Sequence, residues 1–336
     1  MASVRMQERR SPSMLVIFFI LAFGISWAAW IPIAASSRGW ISWDIPTTLV
    51  RLIGAFGPTL AGVIATTFST GRSGLRALFR RLAVWRVGVP WYVFALLWPA
   101  AQSLGTTAIH VALGGTAPDF VHPPVLDLYP APPEAFAAGP WVLLPFIFLQ
   151  QLLLGSAMGE ELGWRGFALP RLQAGMYALR ASLVLGALWA VWHLPLFFIK
   201  GDPLADTFFG WFLLGIVGDA ILYTWLFNNA GGSLLLVLLL HASTATTGLF
   251  LPAADASPLI GAVVTWIVAL AVIARFGPTD LARPGAPDQR PRRPVPTARR
   301  ALSPDVASHM VLSSGVARYW RRSATAAGRE GRFRGR

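Results

Sequence analysis

About eight stretches of roughly twenty residues, nearly empty of charge, occupy this chain between Met14 and Phe276. A run of that length crosses the ~30 Å hydrocarbon core of a bilayer as a helix, and a lipid-exposed backbone must satisfy its own hydrogen bonds. The stretches are 14–34, 48–68, 91–113, 141–157, 176–199, 208–227, 233–251 and 259–276. They predict an all-α, polytopic transmembrane helix bundle of about eight spans. Only 13% of the 336 residues are charged, against about 25% in a soluble domain, which is too few to coat a water-facing surface. The first run follows Arg5, Arg9 and Arg10, as a secretory leader does. It exceeds the ~7–15 apolar residues of a leader and reads as a retained span.

Charge in the connecting segments sets the orientation. Residues 71–87 carry Arg72, Arg76, Arg80, Arg81 and Arg86 and no acid, whereas 114–139 carries Asp119, Asp127 and Glu134 and no Lys or Arg. With an even number of spans the basic segments fall on one side and the acidic ones on the other. Both termini are then expected in the cytoplasm. The chain divides into a cytoplasmic segment 1–13, a transmembrane domain 14–276, and a tail 277–336. That tail, rich in Pro, Arg, Ala and Gly, reads as a disordered basic cytoplasmic segment. The formal charge of +13 therefore points to anionic lipid met by basic loops and tail, and not to nucleic acid. The absence of cysteine excludes disulfides, thiolate metal sites and a thiol nucleophile.

The fourth apolar stretch runs on into Gly159-Glu160-Glu161-Leu162-Gly163-Trp164-Arg165. Each charge held at mid-bilayer costs roughly 2.5–3.5 kcal/mol, so such residues face a polar cavity and mark a functional path. Glu161 and Arg165, four apart on a helix, share a face and pair. Glu160 points about 100° away and has no local cation, which suits a general base. Two histidines lie equally deep, His193 in Trp189-Ala190-Val191-Trp192-His193 and His241 after Leu234–Leu240. A lone buried histidine is ordinarily a packing residue, and acids with Arg at a helix end can simply lie among headgroups. Two buried histidines with an acid pair in a nearly charge-free core form a site. Glu, His and His can bind and deprotonate a water and polarise a carbonyl, which suits peptide-bond hydrolysis within the membrane. The His-Glu-x-x-His helix, the Gly-x-Ser-x-Gly elbow and the P-loop are absent.

These blocks resemble the CAAX prenyl protease and bacteriocin-processing (CPBP) family of intramembrane proteases. The resemblance lies in Glu160-Glu161-x-x-x-Arg165 with its continuation to Gln173, in Trp189-x-x-x-His193-Leu194-Pro195, and in Asn229-Ala230-Gly231-Gly232-Ser233 running into His241. It covers 155–247. It implies a bundle of about eight helices around a polar cavity, with Glu160 activating water. His193 and His241 would bind that water or stabilise the oxyanion, and Glu161 and Arg165 would hold the site in shape. A divalent metal such as zinc, on His193, His241 and Glu160, is a second way to activate the same water. The substrates implied are membrane-associated proteins or peptides, and the expected location is a bacterial plasma membrane.

Two positions depart from the family pattern. Trp189 stands where Phe is usual, a mild change. Ala245 stands where Asn usually follows the histidine by four residues, and Ala has no hydrogen bond to give. Losing one oxyanion donor can cost about 10²–10³ in rate, and Thr244 and Thr246 lie out of register. An inactive immunity or scaffold protein and a proton-coupled transporter are the competing readings, the latter weakened by the lack of an internal repeat. Glu160, near the end of its span, and His193, well along the next, differ in depth by ~10 Å if both helices are simple rods. A fourth helix that begins near Pro145 and runs through Arg165 removes that difference.

Overall fold

The computed structural model describes residues 2–43, 45–128, 139–251 and 256–286. Among them there are helices, turns and loops and no strand. The chain is a polytopic all-α membrane protein. Six segments are long and apolar enough to cross a bilayer: Ser13–Ser37, Thr47–Ala83, Pro140–Gln173, Ala178–Phe198, Phe209–Asn229 and Pro258–Phe276. The other two expected spans are also helical. Leu234–Phe250 is shorter, and Val89–Ala112 is long but diluted by Gln, Ser, Thr and His. The helices are α1 Ala2–Ser37, α2 Thr47–Ala55, α3 Gly57–Arg80, α4 Val89–Ala112, α5 Val125–Leu128, α6 Leu144–Leu153, α7 Ser156–Gly163, α8 Leu169–Gln173, α9 Ala178–Trp192, α10 Phe209–Asn229, α11 Leu234–Phe250 and α12 Pro258–Phe276.

α1 packs along α3. Its buried face, Phe18, Ala22, Ser26, Trp30 and Ile33, follows the three-to-four spacing of a helix stripe. Polar groups on that face are satisfied by α2: Ser26 Oγ donates to the Gly54 carbonyl at 2.7 Å and Trp30 Nε1 to the Arg51 carbonyl at 3.0 Å.

The acid pair sits on a broken helix. α6 ends at Leu153, extended backbone at Gly155 restarts the chain as α7, and a π-helical turn, Trp164–Ala168, joins α7 to α8. Pro170 has no N–H for the Gly166 carbonyl and its ring crowds the preceding turn. A widened turn accommodates both. The single helix expected from Pro145 through Arg165 is thus two helices with a break at residues 154–155, and the second continues past Arg165 with Glu160 buried in the bundle.

Two glycines four residues apart, Gly159 and Gly163, line one side of α7. Small residues let membrane helices approach backbone to backbone, and here α7 lies on α3. A β-carbon at Gly163 would overlap the Pro58 carbonyl, and one at Gly159 would come within 2.6 Å of the Ala55 oxygen. The acids are thereby turned the other way, toward α9, α10 and α11. Gly163→Val is expected to lower stability by about 1–3 kcal/mol or more, because backbone cannot yield as a side chain can. Gly175→Ala is the control, since a β-carbon there meets only Leu172 O at 3.8 Å. Thermal unfolding in detergent, read by tryptophan fluorescence, checks this; equal midpoints for the two variants would remove the glycine argument.

α10 and α11 form an antiparallel pair. The reversal uses Gly231 and Gly232, at φ 65° and 74°, a region costly for other residues. Ser233 Oγ then caps α11 by accepting from Leu236 N at 3.2 Å.

After α12 the chain folds back onto the bundle. Ala178 N donates to Thr279 O at 2.8 Å, Asn228 Nδ2 to Asp280 O at 2.7 Å and Asn229 Nδ2 to Leu281 O at 2.9 Å. The helical body thus extends beyond Phe276 to include 277–286, and the disordered tail expected over the rest, 287–336, lies outside the described residues.

Candidate active site

Glu160, Glu161 and Arg165 are buried, and His241 is 8% exposed. The pairing expected from spacing is present: Arg165 Nη1 donates to Glu161 Oε1 at 2.8 Å. The same Glu161 oxygen accepts from His241 Nδ1 at 2.7 Å. Glu161 is therefore more than a mate for Arg165, because it also orients the histidine of a helix 80 residues away. A carboxylate oxygen only accepts, so His241 carries its proton on Nδ1 in this contact, leaving Nε2 for other work.

The arginine is held by rings as well as by charge. Its guanidinium carbon lies 4.3 Å from the Trp189 ring centre and 4.2 Å from that of Tyr223. Arg165 Nε and Nη2 have no hydrogen-bond partner, and the two aromatic faces supply cation–π stabilisation in place of one.

Glu160 is anchored by one oxygen. Its Oε2 accepts from Trp189 Nε1 at 2.6 Å and from Trp164 Nε1 at 3.3 Å. Its Oε1 lies 3.9 Å from His241 Nε2. That gap is too long for a direct hydrogen bond. A separation of that size is one that a single bridging water about 2.8 Å from each atom would span.

Trp189 gives the departure from the expected Phe a chemical role, because Phe has no N–H to hold Glu160. Trp189→Phe is expected to lower kcat about tenfold with little change in KM, the scale of one hydrogen bond to a charged group. Steady-state kinetics on a cleaved peptide would show it, and an unchanged kcat would mean Glu160 needs no indole.

His193 is placed differently from His241. Its Nδ1 contacts the carbonyl of Trp189 at 2.8 Å, and its ring sits against Trp192 and Phe212, with centres 4.7 Å and 5.2 Å away. No hydrogen bond or ion pair joins it to Glu160 or His241 among the described residues. The Trp189 ring packs near both histidines, its centre 6.0 Å from that of His193 and 5.8 Å from that of His241. Glu160, Glu161, Arg165 and His241 thus gather in one cluster, and His193 lies beside it, against the Trp189 ring.

The possible metal set was also His193, His241 and Glu160. Among the described residues no three His, Asp or Glu side chains gather in a way that would hold an ion. The donor set as arranged does not fit a metal, and the chemistry below runs through the side chains alone.

Two residues on α10 escaped the sequence reading. Tyr223 covers Arg165 and meets His241 edge-on at 6.0 Å. Asp219, one turn earlier, is electrostatically coupled to both Arg165 and His241. The signal for Asp219 was in plain view, an acid inside an apolar span. Ala245 follows His241 by one turn on α11 and brings no polar group to the site.

Residues 140–247 match the family described as "Type II CAAX prenyl endopeptidase Rce1-like". The CAAX prenyl protease 2 of Methanococcus maripaludis is 32% identical over 136 residues, which are 39% of this chain and 49% of that protein. The match thus spans about half the length of that relative, and the family match holds the acid pair, His193, His241 and the α10–α11 turn.

Proposed function

We propose that this chain, which belongs to the CAAX prenyl protease and bacteriocin-processing family, is an intramembrane endopeptidase acting on membrane-associated proteins or peptides, with CAAX-type prenylated C-termini as its first candidate substrates. The observation that carries the reading is the facing pair Glu160 Oε1 and His241 Nε2, 3.9 Å apart. The other polar atom of each side chain is already committed, Glu160 Oε2 to two indoles and His241 Nδ1 to Glu161.

A water between them gives its proton to Glu160 as its oxygen attacks the scissile carbonyl carbon. The carbonyl π electrons move onto oxygen, and in this reading an imidazolium His241, which carries a second proton on Nε2, donates to the developing oxyanion. Collapse of the tetrahedral species breaks the C–N bond, and Glu160 returns the proton to the leaving amine. Burial beneath Trp164, Trp189 and Tyr223 keeps bulk water from screening these charges. We assign both termini to the cytoplasm from the arginine-rich 71–87 segment, and the membrane to a bacterial plasma membrane from the family resemblance.

Ala245 favours a second reading, an inactive member that serves as an immunity or scaffold protein. The deciding experiment incubates the full chain, reconstituted in bilayers, with a prenylated peptide ending in Cys plus three residues and with its unprenylated form, products being identified by mass spectrometry. Release of the terminal tripeptide from the prenylated form alone supports the CAAX reading. Cleavage of neither, by folded protein, favours the scaffold. A chelator arm separates carboxylate activation, which survives it, from a bound divalent ion such as zinc, which does not.

A further inference from the structure

Hydrolysis at this site needs more than one donor for the oxyanion, and α11 supplies only His241. Ala245, where a second donor is expected, has no hydrogen bond to give. Its neighbours do not make up the loss. Thr244 Oγ1 donates to the Leu240 carbonyl of its own helix at 3.0 Å. Ser243 and Thr246 line a cleft with Leu96 of α4 and Phe148 of α6, on a different side of α11 from His241. Beyond α11, Trp189 Nε1 is committed to Glu160 and Arg165 Nη1 to Glu161.

Tyr223 stands on the neighbouring helix, α10, and is 3% exposed. Its ring meets that of His241 edge-on at 6.0 Å and that of Trp189 at 5.7 Å. The Arg165 guanidinium carbon lies 4.2 Å from the ring centre. Contacts from three separate segments thus fix the ring beside the histidine. Its hydroxyl pairs with the side chain of Thr244, the residue before Ala245. A threonine that gives its own proton to a carbonyl is left to accept from the phenol. The phenol O–H is therefore held toward the turn of α11 that carries Ala245. Ala245 is half-buried and has no atom beyond its β-carbon to block that approach. Thr244 is a neutral acceptor, and a hydrogen bond to an ionised oxygen is roughly twice as strong. An oxyanion forming beside His241 is thus the better acceptor for the same proton.

We propose that Tyr223 is a catalytic residue whose phenol O–H donates to the oxyanion, in place of the side chain that Ala245 lacks. The inference rests on the endopeptidase reading and adds a second donor to His241 Nε2. Tyr223 forms no covalent bond and keeps its proton. The charge that it stabilises returns to the carbonyl as the C–N bond breaks.

The test uses the full chain reconstituted in bilayers. Two probes are compared, a prenylated peptide ending in Cys plus three residues and its phosphinate analogue, in which an anionic tetrahedral phosphorus replaces the scissile amide. Tyr223→Phe keeps the ring and its contact with Arg165 and removes only the hydroxyl. It is expected to lower kcat by about 10²–10³-fold with little change in KM. Phosphinate binding should weaken at least about tenfold while amide-peptide binding stays the same. Ala245→Asn in the same background should restore at least about tenfold of the lost kcat. Equal kcat in wild type and Tyr223→Phe overturns the proposal. So does a loss of kcat that Ala245→Asn does not restore and that leaves phosphinate binding unchanged, which would make Tyr223 a packing residue. If the wild type cleaves nothing, the endopeptidase reading fails while phosphinate binding still decides this one: a preference for it that Tyr223→Phe abolishes supports the donor, and no preference in the wild type overturns it. Should Tyr223→Phe fail to fold, Ala245→Asn alone decides. A gain in kcat of about 10²–10³-fold would show that no second donor was in place and overturn the proposal, and a gain below about tenfold supports it.

Discussion

Glu160→Gln is expected to lower kcat by about 10²–10⁴-fold, the usual contribution of a positioned general base, with the fold intact. The two side chains share shape and volume, and the amide oxygen of Gln can still accept from Trp189 Nε1, the 2.6 Å contact that anchors residue 160. What Gln cannot do is take a proton from water at the Oε1 position facing His241 Nε2. The loss should therefore appear in kcat, while substrate binding, which depends on the cavity and not on the proton, changes little. Single-turnover cleavage of the same peptide isolates the chemical step from product release. Cleavage by the variant at the wild-type rate, with matching thermal midpoints, would remove Glu160 from the mechanism. Comparison with Trp189→Phe orders the two effects: removing the base must cost more than loosening its anchor.

The parts of this site that follow helical spacing were legible in the sequence. Glu161 and Arg165 are four apart and meet as that spacing requires, and Glu160 diverges from them because one residue is a turn of about 100°. The apolar runs were legible for the same local reason. Val89–Ala112 reads as a weaker span because its polar residues serve neighbouring helices: Ser103 Oγ donates to Leu251 O and Gln102 Nε2 to Gly261 O. Sequence hydropathy counts such residues against the membrane, although the bundle satisfies them.

Contacts between distant helices could not be read this way. The hydrogen bond from His241 to Glu161 links residues 80 apart, and no local pattern shows which of two adjacent acids a histidine will choose. The indole N–H of Trp189 looks like bulk in a sequence and becomes a donor only when α9 lies beside α7. The break at Gly155 was hidden because hydropathy passes smoothly through Leu152, Leu153 and Leu154, although the chain there leaves helical geometry. Residues 277–286 looked like a tail because they are rich in Pro and Gly. Their order comes from side chains of α10, Asn228 and Asn229, which bond their backbone.

Arg165→Met is expected to be the most destabilising single change, at about 3–5 kcal/mol, because it strands a buried carboxylate. Arg165 is the only cation within hydrogen-bonding reach of Glu161 among the described residues apart from His241, and Glu161 Oε2 already lacks a partner. Without Arg165, His241 must carry the whole burden of that charge, which would pull its ring toward Glu161 and away from Glu160. The variant should therefore lose activity even at temperatures where it stays folded. Met keeps the apolar contact with the Trp189 and Tyr223 rings, so the loss reports charge and not a cavity. The double change Arg165→Met with Glu161→Gln separates the two consequences. Removing both charges should recover much of the lost stability, as replacing a whole buried ion pair often does. It should not recover full kcat, because a neutral amide at position 161 holds His241 less firmly than a carboxylate that accepts from Nδ1. Thermal midpoints and kcat measured on the single and double variants form the cycle. If stability and activity returned together in the double variant, the pair would serve packing alone, and the orientation of His241 by Glu161 would have no part in catalysis.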